Sequence, residues 1–288
     1  MTDLSPLTRP SGGFAMLAVD QREAMRAMFA EHMPGPVLDE TLTRFKVEAT
    51  RVLSPYASGV LVDREFAFDA VTAAGAVAPG CGLIAAADRL IPGADEIVGA
   101  VEIDSEVVPA EVKAAGAVAL KLLLLWRPDE DPDKRVAMVE EFVAMCGAAG
   151  LISIVEPVSR KPLDGRPWDW ADGVLAAAKE LGDLGADLYK AEVPLHGEGD
   201  PAEILRGCEQ LTAAIGSPWV VLSSGVRADL FPRAVELACK AGASGFLAGR
   251  AVWRDVIGAS DLGRALATEA LDRLRRFGDV VDDALAGR

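Results

Sequence analysis

The chain of 288 residues is 51% hydrophobic, 25% charged and 6% aromatic. That composition excludes a disordered chain and suits either two modest domains or one α/β barrel of about 250 residues. Lys and Arg number 29 against 44 Asp and Glu, a formal net charge of −15; such a surface repels phosphate backbones and anionic lipid, which disfavours nucleic-acid and membrane roles.

Short apolar runs alternate with Ala-rich amphipathic stretches from end to end. The runs predict strands at 14–20, 59–63, 82–87, 118–126, 151–156, 187–192, 219–223 and 245–249. Several are β-branched and almost continuously apolar, as strands covered on both faces must be. The stretches between them predict helices at 38–53, 65–76, 109–115, 132–148, 170–181, 201–215, 229–241 and 261–285. Asp131-Pro132, Asp200-Pro201 and Ser260-Asp261 read as helix starts, and Gly116, Gly150, Gly185 and Gly242 as helix ends. Strict alternation of eight strands with eight helices predicts a single-domain (β/α)8 TIM barrel over 1–288, with 1–12 as a lead-in and 260–288 as a C-terminal helix. A doubly wound sheet is disfavoured because no Gly-x-Gly-x-x-Gly or Walker-type loop follows the first strand.

Two histidines, His32 and His196, are too few for a zinc mechanism. Cys81, Cys146, Cys208 and Cys239 form no Cys-x-x-Cys pair and read as reduced thiols of a cytoplasmic protein. Residues 1–14 lack a basic start followed by an apolar run, so no secretory leader is expected. The charge-free stretch 70–87 is broken by Pro79-Gly80 and is not read as a membrane span.

Charge on the strands carries the functional information. Asp20 ends the first run, Asp63 the second and Glu156 the fifth; Lys121 lies in the fourth and Lys190 in the sixth. A barrel strand is expensive ground for a charge except at its C-terminal mouth. Singly, each has a bland reading: an Asp at a strand end as a helix cap, a lysine as a snorkelling side chain. Together they predict one site. Two lysines facing one apolar cavity predict depressed ammonium pKa values and a neutral amine that attacks a carbonyl, with Glu156 moving protons and Asp20 and Asp63 orienting hydroxyls or the amine. This is the logic of an aldolase that needs neither metal nor cofactor. Ser223-Ser224-Gly225 after the seventh run and Gly249-Arg250 after the eighth predict a phosphate site, where barrels commonly hold one.

Residues 12–26 (GGFAMLAVDQREAMR), 121–126 (KLLLLW), 154–157 (IVEP), 186–194 (ADLYKAEVP), 219–226 (WVVLSSGV), 243–253 (ASGFLAGRAVW) and 278–282 (GDVVD) resemble the class I sulfofructosephosphate aldolases, relatives of the tagatose-bisphosphate aldolases. The resemblance implies a (β/α)8 fold and cleavage of 6-deoxy-6-sulfofructose 1-phosphate to dihydroxyacetone phosphate and sulfolactaldehyde in sulfoquinovose breakdown. It puts the Schiff base on Lys190 and the acid/base carboxylate on Glu156, with Lys121 beside it. Asp20, Gln21 and Asp63 match substrate-contacting positions; Ser223, Ser224, Gly225, Gly249 and Arg250 match the phosphate end. For the sulfonate, a monoanion, Gln21, Arg22 and the 195–197 loop are the candidates. The partner expected is thus a small sulfosugar phosphate, and symmetric self-assembly is the default for such barrels. The rivals are a tagatose-1,6-bisphosphate-type aldolase, a transaldolase using the same lysine, and a non-catalytic sugar-phosphate-binding barrel. The last would have no use for Lys190, Lys121 and Glu156 together.

Overall fold

A computed structural model describes residues 2–287; Met1 and Arg288, the ends of the expected domain, lie outside it. The chain opens with β1 (Phe14–Ala18), α1 (Glu23–Ala30), α2 (Asp39–Leu53), β2 (Gly59–Val62), α3 (Asp69–Ala73) and β3 (Gly82–Ala86). A hairpin, β4 (Asp88–Ile91) and β5 (Ala100–Ile103), precedes α4 (Pro109–Ala114) and β6 (Ala117–Trp126). Then come α5 (Pro132–Ala149), β7 (Ile152–Ser159), α6 (Trp170–Leu181), β8 (Leu188–Ala191), α7 (Pro201–Ala214) and β9 (Trp219–Val221). The chain finishes with α8 (Phe231–Ala241), β10 (Gly245–Ala248), α9 (Arg250–Trp253), α10 (Leu262–Ala265) and α11 (Leu271–Ala286).

Eight parallel strands close into a barrel in the order β1-β10-β9-β8-β7-β6-β3-β2, the architecture expected from the alternation. All eight predicted strands are present. Several predicted runs reach past the ladder, because Asp20, Asp63, Ser223 and Gly249 already belong to the loops at the mouth. The β4–β5 hairpin and α1 were not predicted. The hairpin pairs antiparallel outside the barrel with most of its residues wet, so it lacks the apolar run that marks a core strand. The predicted helix 65–76 is a wide π-type turn, Arg64–Phe68, followed by the short α3; the predicted 261–285 likewise divides at Leu266–Ala270.

Period-two alternation sorts the strand side chains into two cores. Phe14, Met16, Ala18, Leu61, Ile84, Ala86, Ala119, Ile154, Leu188, Val220 and Leu247 fill the barrel, while their neighbours join the helices in the outer layer. Leu7, in the turn Ser5–Leu7, plugs the bottom of the inner core, and Gly82 makes room for it: a Cβ there would lie 2.6 Å from Leu7 Cδ2. The lead-in is fastened to α11, with Arg9 and Ser11 donating to Asp282 at 2.6 Å. No helix among the described residues is long and apolar enough to cross a membrane.

Closure between the first and last strands depends on Gly245. Its φ is +137°, and an added Cβ would collide with the Phe14 backbone. Gly245→Ala is therefore expected to cost about 3 kcal/mol, read as a melting-temperature fall on the order of 5–10 °C. A melting temperature within a degree of the parent's would contradict that account.

Candidate active site

Five charged residues continue the inner-core register, each two residues beyond an apolar inner position: Asp20 after Ala18, Asp88 after Ala86, Lys121 after Ala119, Glu156 after Ile154 and Lys190 after Leu188. Period-two geometry therefore delivers them to the same end of the barrel. Lys121 Nζ lies 2.7 Å from Asp20 Oδ2, 2.7 Å from Asp88 Oδ2 and 3.3 Å from Glu156 Oε2. Glu156 Oε1 pairs with Lys190 Nζ at 2.8 Å. Lys121, Lys190 and Glu156 are all buried. Ions so placed persist only when paired. Here three carboxylates meet two lysines and Arg22.

The two lysines are not equivalent. Burial by itself would lower the Lys121 pKa, but Asp20, Asp88 and Glu156 outweigh it and hold the group above the ordinary lysine value. The expectation of two depressed ammonium groups is thus corrected for Lys121: the cavity floor is lined with carboxylates rather than apolar, and this lysine is a fixed cation. Burial would raise the Asp20 pKa, yet Lys121 and Lys190 hold it far below the usual carboxylate range. Lys190 makes its one ion pair with Glu156, which it shares with Lys121. An amine beside one carboxylate has a short path for losing a proton, which is what a carbonyl-attacking group needs.

The remaining predicted residues fall into three groups. Ser223, Ser224 and Gly225 follow β9 and Gly249 and Arg250 follow β10, and Arg250 Nη2 donates to Ser224 Oγ at 2.5 Å, so the two loops expected to hold a phosphate meet. Gln21 stays near them, its Nε2 beside Gly249 and its Oε1 buried without a partner. Arg22 and Asp63 are not brought to the open site. Arg22 is 6% exposed and donates to the Asp88 carbonyl at 2.9 Å and to Asp88 Oδ1 at 3.1 Å, so its guanidinium is engaged. Asp63 is fully buried; one oxygen pairs with Lys46 of α2 and the other caps the following turn through Phe66 N at 2.7 Å. In the 195–197 loop, Leu195 and His196 hold left-handed φ values of 54° and 51°, and the imidazole stacks on Trp170 at 3.7 Å.

Reading the sequence missed Asp88, Lys46 and Glu192. Asp88 had a signal, since it ends the charge-free stretch at inner register. Lys46 lies on the buried stripe of α2 among Leu42, Phe45, Ala49 and Leu53. Glu192 accepts from Ser159 N at 2.8 Å and from the Trp170 indole, and burial pushes its pKa up to about 7.

A carboxylate-balanced lysine pair at the mouth of a parallel barrel, with the Ser224 and Arg250 loops beside it, defines a carbon–carbon lyase of the Schiff-base type. The chain belongs to the DeoC/LacD family of aldolases, whose family model matches residues 14–255. It is similar to tagatose 1,6-diphosphate aldolase of Listeria monocytogenes serotype 4a (strain HCC23), 28% identical over 278 residues covering 88% of this chain and 81% of that protein. It is similar at 28% over 303 residues to tagatose 1,6-diphosphate aldolase 1 of Streptococcus pyogenes serotype M3 (strain SSI-1), covering 94% and 92%. Its fold is also that of fructose-bisphosphate aldolase from Plasmodium falciparum, with a TM-score of 0.70 at 14% identity over 96% of this chain and 92% of that one. An archaeal fructose-1,6-bisphosphate aldolase, solved with its catalytic Lys covalently bound to the carbinolamine intermediate, superposes with a TM-score of 0.63 at 18% identity over 96% of each chain.

Glu192 gives a pH test. Its pKa is raised from 4.5 to about 7, so the fold favours the neutral acid. That contribution is complete below pH 4.5 and is lost as pH rises through 7, at up to about 1.4 kcal/mol per pH unit. Thermal melts of Glu192→Gln and parent are expected to diverge in favour of the variant between pH 5 and pH 8. A pH-independent difference would remove Glu192 as the titrating group.

Proposed function

We propose that this aldolase cleaves 6-deoxy-6-sulfofructose 1-phosphate to dihydroxyacetone phosphate and sulfolactaldehyde through an imine on Lys190. The observation that carries the reading is the 2.8 Å pair of Lys190 with Glu156, set beside a second lysine locked in its charged form.

Lys190 passes a proton to Glu156, and its amine adds to the C2 carbonyl. Glu156 returns the proton to the carbinolamine oxygen, which leaves as water, and the iminium forms. Lys121, a fixed ammonium held by Asp20 and Asp88, stabilises the negative charge that develops on that oxygen as the amine adds. Glu156 then takes the C4 hydroxyl proton as the C3–C4 bond breaks, and the electron pair runs into the iminium nitrogen to give an enamine and the free aldehyde. Protonation at C3 and hydrolysis release dihydroxyacetone phosphate. Ser223, Ser224, Gly225 and Arg250 hold its phosphate, with Gln21 and Gly249 alongside. The archaeal aldolase solved as a lysine carbinolamine supports the covalent step, and the sequence resemblance supports the sulfonated ketose. The curated relatives act on a doubly phosphorylated ketose by name, and tagatose 1,6-bisphosphate is the comparison substrate.

Borohydride reduction with dihydroxyacetone phosphate, followed by peptide mapping, is expected to leave a three-carbon phosphate adduct on Lys190 and none in Lys190→Met. Folded parent protein that binds the ligand without an adduct would overturn the imine. Glu156→Gln is expected to trap the adduct but to lose about 10²-fold or more in turnover; near-parental turnover would remove Glu156 from proton transfer. Turnover of the sulfonated ketose against tagatose 1,6-bisphosphate, with and without an acceptor aldehyde, decides the substrate and separates the lyase from a transaldolase.

A further inference from the structure

The chain carries −15 net charge, and the deep cations of the mouth are matched by carboxylates: Lys121, Lys190 and Arg22 all pair with Asp or Glu. Three arginines at the rim form no ion pair, although Arg160 acts on Glu192 from longer range. Arg250 bonds only Ser224 Oγ. The side chain of Arg160, directly after β7, donates only to the carbonyl of Ser159, at 3.0 Å. Arg254, one residue beyond α9, is exposed. Among the described residues none of the three has a carboxylate within ion-pair distance.

Alternation along β7 decides where Arg160 points. Ser159 turns outward, its Oγ packed against Gly173 of α6, so Arg160 returns to the face that carries Ile154 and Glu156. Its charge is felt there. Burial, then Arg254, then Arg160 all lower the pKa of Arg250, while Glu156 and Asp20 act on the same group in the opposite sense. Cations that repel one another in the mouth of an acidic protein are satisfied when an oxyanion arrives.

Strand order separates two such places. Arg250 and Ser224 belong to the β9–β10 side, Arg160 stands at the end of β7, and β8 with Lys190 runs between β7 and β9. The reacting carbonyl at Lys190 is therefore flanked by one cation site on each side, the arrangement that suits a ketose with an oxyanion at both ends. Other candidates for the far end are engaged or uncharged: Arg22 is held by Asp88, His196 is stacked on Trp170, and Gln21 is neutral. We propose that Arg160 receives the tetrahedral oxyanion on C6 of the ketose, sulfonate or phosphate, and is the residue that selects a substrate charged at that end. The inference rests on the Lys190 aldolase reading and extends it to substrate choice.

The test uses Arg160→Met, which keeps the stem and removes the charge, and Arg160→Lys, which keeps a charge without the two-donor fork. Three ketoses are compared: 6-deoxy-6-sulfofructose 1-phosphate, tagatose 1,6-bisphosphate and fructose 1-phosphate, the last bare at C6. The parent is expected to prefer a C6-charged ketose, and Arg160→Met to lose that preference through a KM raised about 10- to 100-fold, the worth of a charge-assisted hydrogen bond. Fructose 1-phosphate should be unaffected, and Arg160→Lys should recover part of the loss. Whichever charged ketose suffers the larger loss identifies the natural oxyanion. Borohydride trapping of dihydroxyacetone phosphate, which has no C6 end, should stay within about twofold of the parent in Arg160→Met and weaken in Arg250→Met. Equal loss of trapping in both variants would assign Arg160 to the first phosphate site and overturn the proposal, as would an unchanged preference for C6-charged ketoses. Absence of any adduct in the parent would instead sink the aldolase reading beneath it, and this inference with it.

Discussion

The site depends on one carboxylate shared by two buried ammonium groups. Glu156 reaches Lys190 with one oxygen and Lys121 with the other. Charges at that depth are tolerated only because the sum over the cluster is close to neutral. The same requirement explains the neighbours. Asp20 and Asp88 complete the shell of Lys121, and Arg22 balances Asp88. Removing any one of them changes the charge balance of the others, so the cluster behaves as a unit and its members cannot be assigned separate energies.

That unit also divides labour between two chemically identical side chains. Three carboxylates around Lys121 make deprotonation there costly, whereas one carboxylate beside Lys190 offers it a proton acceptor. The difference comes from how many strands aim an acid at each amine. The barrel provides it because strands ending at a common rim place their last inward residues in one ring.

Much of this was legible in the sequence. The barrel strands are almost continuous apolar runs, and Asp20, Glu156, Lys121 and Lys190 were visible as charges where apolar residues are the rule. The wet β4–β5 hairpin was hidden because its burial is partial. Asp88 was hidden because it stands just past the end of a predicted run and reads as a loop acceptor. Lys46 was hidden because a lysine on a helix ordinarily faces water, and only the packing of α2 against the Arg64–Phe68 turn buries it on Asp63. The protonation of Lys121 could not be read at all. It depends on acids from the ends of β1, β3 and β7, which are far apart in the chain and adjacent only in the closed barrel.

The clasp between the lead-in and α11 has a practical side. Arg9 and Ser11 grip Asp282, and Gly13 packs against Val281 and Leu285. Both ends of the described chain are thereby gathered before the first residue of β1, on the face opposite the rim where the strands finish. A surface tether or fusion partner joined through either end leaves substrate entry unobstructed, and the protein can be immobilised in a flow reactor with its mouth turned to the solvent.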